Sequence, residues 1–88
     1  MNENTVLDQL EELAHSLGIE TRNESIKKEA TFSPGGLCRL KGKYLLILNS
    51  SATTKDKIHT LAEAVNRFDL SQVYLRPGLR EFLDSFPE

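Results

Sequence analysis

Four consecutive aliphatic residues, Leu45, Leu46, Ile47 and Leu48, constrain the fold more than any other feature of the chain. They follow Lys41-Gly42-Lys43, where Gly42 can take the positive φ that a tight hairpin requires. Residues 37–40 and 44–48 therefore read as the two arms of one hairpin. The first arm alternates, with Cys38 and Leu40 on one face and Leu37, Arg39 and Lys41 on the other. The second arm does not alternate, so both of its faces call for cover, and it reads as the central strand. Either helices lie on both sides of the sheet, or a second copy of the chain covers one side through a self-complementary patch. Both solutions stay open, with a slight lean to the homodimer.

The flanking segments supply helices. Val6, Leu7, Leu10, Leu13, Ala14 and Leu17 recur at helical spacing, with Asn4 or Thr5 as the expected cap and Gly18 as the C-terminal stop. Residues 19–22 read as a short edge strand and 23–31 as a polar loop anchored by Phe32. Ser33-Pro34-Gly35-Gly36 reads as a turn. After the hairpin, Thr53 or Thr54 caps a second helix, with Asp56 completing a shortened capping box and Ile58, Leu61, Ala62, Val65 and Phe68 on its buried stripe. Residues 71–75 read as a weak strand or extended segment. Pro77 opens a last short helix with Leu79, Phe82, Leu83 and Phe86 on one face.

These elements predict one α+β domain over residues 1–88. It holds a small three- or four-stranded, mainly antiparallel sheet, two main helices and a short C-terminal helix. A chain of 88 residues has room for one modest core. A net charge of −2 gives no general attraction to nucleic acid or anionic lipid. One cysteine, Cys38, cannot form an internal disulfide. The N-terminal sequence lacks the basic start and apolar run of a signal peptide, and the longest purely apolar run is too short to span a bilayer. The expected location is the cytoplasm, with no membrane contact.

Three segments, LAHSLGIE (13–20), GGLCRLKGKYLLILNS (35–50) and KIHTLAEAVNRF (57–68), resemble the ImmA/IrrE-type zinc metallopeptidases and together cover about half the chain. The resemblance implies a helix and short strand leading to a hairpin, then a loop, then the helix that in the family bears HExxH. There two histidines bind zinc and the glutamate acts as general base. In this chain Glu63, Ala64 and Arg67 fall at those three positions. Arginine has no free lone pair for zinc and alanine cannot serve as a base. The later helices of the family are also expected to be missing. The resemblance thus implies a shortened, catalytically silent zincin-like unit, a pseudo-enzyme with no cofactor.

The remaining chemistry-bearing residues each have a plainer reading. His59 and Glu63, four apart on one helix, could form half of a metal site, joined by His15 if the two helices pack together. Two ligands do not hold zinc, and solvated polar residues are the preferred reading. Cys38 reads as a buried structural thiol. Residues 33–36 read as a turn rather than an anion-binding loop, lacking the Lys-Ser/Thr ending of a phosphate loop. Arg39, Lys41 and Lys43, with Tyr44, Lys27 and Lys28 near, could contact nucleic-acid phosphates, but acids outnumber bases and a solvated hairpin edge is preferred.

Tyr44, Leu46, Leu48, Phe82 and Phe86 are the expected interface residues. Three functions follow in order of preference. The first is a non-catalytic protein-interaction or self-association module, with a second copy or another protein as partner. The second is a cryptic metal-dependent hydrolase using His15, His59 and Glu63. The third is a weak nucleic-acid binder using the basic hairpin.

Overall fold

Asn2 starts the first helix. Its side-chain oxygen accepts the Thr5 amide at 2.8 Å, so α1 (Glu3–Ser16) begins ahead of the expected caps Asn4 and Thr5. The helix ends where expected. Gly18, at φ 83°, turns the chain out of α1 while its amide donates to the His15 carbonyl at 3.0 Å. The computed structural model describes residues 2–25 and 35–86. Five further elements follow α1: β1 (Ile19–Glu24), β2 (Gly35–Leu40), β3 (Lys43–Asn49), α2 (Thr54–Val65) and α3 (Pro77–Ser85).

The fold is α+β, with two main helices, a short C-terminal helix and a three-stranded sheet in the order β1-β3-β2. The non-alternating strand β3 is central, as its composition requires. The sheet is mixed rather than mainly antiparallel: β2 pairs antiparallel with β3 through the hairpin, while β1 pairs parallel with it. Residues 23 and 24 continue β1 instead of opening a loop, and residues 35 and 36 belong to β2 instead of the expected turn. Residues 26–34, which carry the rest of that loop, Phe32 and Ser33-Pro34, lie outside the described residues. Residues 71–75 form no strand; Leu75 is buried there without a ladder partner. That segment is the tie between α2 and α3, opened by the Ser71 amide donating to Asp69 Oδ1 at 2.9 Å.

The hairpin turn is two residues long, Lys41 at φ 53° and Gly42 at φ 79°. Positive φ at both positions is the twist-matched hairpin turn, and Gly42 adopts it without steric cost. Gly42→Val should destabilise the fold by about 1–2 kcal/mol, because a β-branched residue is strained in that region. An unchanged thermal midpoint would contradict the turn assignment.

One core joins the helices to one face of the sheet. Leu10 and Ala14 of α1, Leu61, Ala62 and Val65 of α2, and Leu46 and Leu48 of β3 have no exposed surface, and Ile19 of β1 is 1% exposed. Leu75, Leu79 and Leu83 extend this core over α1 and α2. Thr53 caps α2 by accepting the Asp56 amide at 3.1 Å. Among the described residues no helix is long and apolar enough to cross a membrane.

Candidate functional site

The pleat of β3 divides its aliphatic run into two faces. Leu46 and Leu48 point at the helices, with Leu37 of β2 opposite Leu46 and packed against the same core. Tyr44 shares that face and packs edge-on against Phe68, centroids 4.9 Å apart. Lys43, Leu45 and Ile47 point the other way. Their register partners are Leu40, Cys38 and Gly36 on β2, and Glu20 and Arg22 on β1.

This second face carries no helix among the described residues. Leu45 and Ile47 are half-buried but do not belong to the helix-side core. Leu40 is 60% exposed and Cys38 is exposed. The resulting surface has three columns. The β1 column is charged, with Arg22 Nε 2.8 Å from Glu20 Oε2 and Arg22 Nη1 3.9 Å from Glu24 Oε2. The hydrogen bond and charge of Glu20 hold the Arg22 guanidinium above its ordinary pKa, so it is charged at any working pH. The middle column is Lys43 followed by the aliphatic Leu45 and Ile47, and the β2 column is small or aliphatic.

Several expected site residues take other places. Leu46 and Leu48 have no surface to offer a partner; Leu45 and Ile47, which alternate with them on the same strand, have it. Sequence cannot choose between odd and even positions of an unbroken aliphatic run, because a one-residue slip exchanges the faces. Cys38 is not a buried structural cysteine. The core lies under Leu37, and the apolar-looking side of β2 is the open one. Ellman's reagent should therefore titrate Cys38 fully in dilute native protein; a thiol that reacts only after denaturation would contradict this placement.

The basic residues of the hairpin diverge. Arg39 lies over the Tyr44 ring at 5.5 Å on the helix side, Lys41 sits in the turn, and Lys43 points to the open face. They do not form one phosphate-binding stripe. Lys27 and Lys28 lie outside the described residues.

The candidate metal ligands do not converge. His15, near the end of α1, lines a depression with residues 18–21, Lys43 and Tyr44. His59 packs against the Phe86 ring, centroids 5.1 Å apart, in a groove shared with Val6, Ile58 and Phe82. Glu63 lies beyond Phe86 beside Asn66 and Arg67. Among the described residues no three His, Cys, Asp or Glu side chains gather as a metal site would require. The positions aligned with HExxH are equally scattered: Glu63 is exposed, Ala64 is 3% exposed in the core, and Arg67 lies beyond the last residue of α2. Phe82 and Phe86 are half-buried against the core at the α2–α3 groove, 5.8 Å apart between centroids.

The chain matches no family model, no curated protein and no solved structure. The open face of the sheet is then the surface whose composition most needs explaining. Aliphatic side chains in the middle of a sheet are ordinarily placed against a second layer.

Proposed function

We propose that the protein is a non-catalytic interaction module that docks another protein surface on the open face of its sheet. The observation that carries the reading is the outward pair Leu45 and Ile47, flanked by exposed Leu40 and Cys38, on a central strand that helices cover on one side only among the described residues. Covering those side chains removes apolar area from water at about 25 cal/mol per Å². The charged column of β1 supplies orientation at the rim.

The element order of helix, short strand, hairpin, loop and helix supports a kinship of shape with the ImmA/IrrE-type unit. On that reading the catalytic helix has become a structural one, since the position of the general base carries a core alanine. The module works without a cofactor. The proposal places it in the cytoplasm, where an exposed single thiol such as Cys38 stays reduced.

A photo-crosslinking residue tests the surface. Placed at Leu45 in cells, it should give a discrete protein adduct. The same residue at exposed Asp8 on α1 should not. No adduct at Leu45, or equal labelling at both positions, would remove the docking reading.

A further inference from the structure

The open face is complementary to its own image, and we infer that its occupant is a second copy of the chain, related by a two-fold axis lying between the sheets and across β3 at the level of Leu46. The inference rests on the docking reading above and adds the identity and register of the partner.

The register fixes rows across the face. Glu20, Leu45 and Cys38 form one row, Arg22, Ile47 and Gly36 the next. A two-fold axis running across the strands midway between these rows lays each row on the other row of the second copy. Every column then meets a suitable partner. Glu20 opposes Arg22 of the second copy, and Arg22 opposes its Glu20. Leu45 opposes Ile47, and Cys38 opposes Gly36, so that in these two rows no charge faces an aliphatic side chain and no glycine faces a glycine. One row further out, Glu24 comes level with Lys43 of the second copy, one strand over and within reach of its long stem. The β1 column runs minus, plus, minus, so this antiparallel stacking sets opposite charges in apposition twice. Stacking about an axis along β3 instead would place the charged β1 column on the small residues of β2. Residue i meets j and j meets i, the signature of an isologous interface.

The face also sets the strength. Three strands about 4.8 Å apart and six or seven residues long give a footprint of roughly 300 Å² per protomer. That is small beside the ~800 Å² per partner of a standard stable interface. Dimerisation is therefore expected to be weak and transient, as for other interfaces of this size.

The test is sedimentation equilibrium of the full chain from about 10 µM to 1 mM, for wild type, Glu20→Arg, Arg22→Glu, the double swap Glu20→Arg/Arg22→Glu, and Ile47→Lys. Thermal midpoints measured in dilute solution confirm that each variant is folded. Glu20 and Arg22 are more than half exposed, so these changes should leave the fold intact. The expected result is a wild-type dimer, a rise in Kd of tenfold or more in each single charge reversal and in Ile47→Lys, and recovery in the double swap. Singles that dissociate without recovery in the double swap would overturn the register. A strict monomer throughout would overturn the second copy as occupant while leaving a different protein partner standing. A dimer indifferent to Ile47→Lys and to the charge reversals would overturn both this inference and the open face as the docking surface.

Discussion

Leu46→Ala should lower stability by about 2–5 kcal/mol, the range for emptying a fully buried leucine site. Leu46 has no exposed surface and lies where β3 meets the helices. A domain of this length has a total stability of roughly 4–13 kcal/mol, so the loss is a large share of it. The thermal midpoint should fall by more than about 10 °C. Leu45→Ala, one residue away on the same strand, should cost only about 0.5–1 kcal/mol in dilute solution, because its side chain stands on the open face outside the core. The comparison belongs at low protein concentration, where association adds nothing to apparent stability. Equal losses at the two positions, followed by chemical denaturation, would mean that β3 is covered on both faces within one chain.

Writing the HExxH motif onto α2 should damage the fold rather than create a metal site. The triple variant Glu63→His/Ala64→Glu/Arg67→His writes HExxH onto α2 and the residues after it. Ala64 is 3% exposed, so a glutamate there brings an unpartnered carboxylate into the core at a cost of about 3–5 kcal/mol. A histidine at 67 would stand beyond the end of α2, which closes at Val65 with Asn66 as its cap. The triple variant should lose about as much stability as Ala64→Glu alone, and it should fail to compete with a chromophoric chelator for zinc. Stoichiometric zinc uptake with a raised thermal midpoint would instead mean that a metallopeptidase site lies latent in this helix.

Much of the architecture is legible in the chain because local chemistry dictates it. Gly42 in the turn, Thr53 at the second helix and Pro77 at the third mark ends that the structure places where the residues ask for them. The aliphatic run of residues 45–48 identifies the central strand. What the run cannot convey is which of its alternate positions the core takes. That choice depends on β1 pairing parallel with β3, a contact between residues 25 apart in sequence that no local pattern encodes. The same ambiguity inverts β2. Cys38 and Leu40 look like the buried side of an alternating strand, and Arg39 looks solvent-facing. Yet Arg39, though exposed, lies over the Tyr44 ring on the helix side, while Cys38 and Leu40 are exposed on the open one. The open face is therefore readable as a need for cover, and unreadable as a set of residues.

Solvent access at Ile47 tests the one-sided sheet most directly. Isoleucine δ1-methyl spectra can be recorded on dilute protein with and without a soluble nitroxide. Ile19 and Ile58 are 1% and 7% exposed in the core and serve as internal references. An open face requires the Ile47 methyl to broaden strongly while those of Ile19 and Ile58 stay sharp. An Ile47 methyl as well protected as theirs in the dilute monomer would contradict the open face, and with it the docking surface.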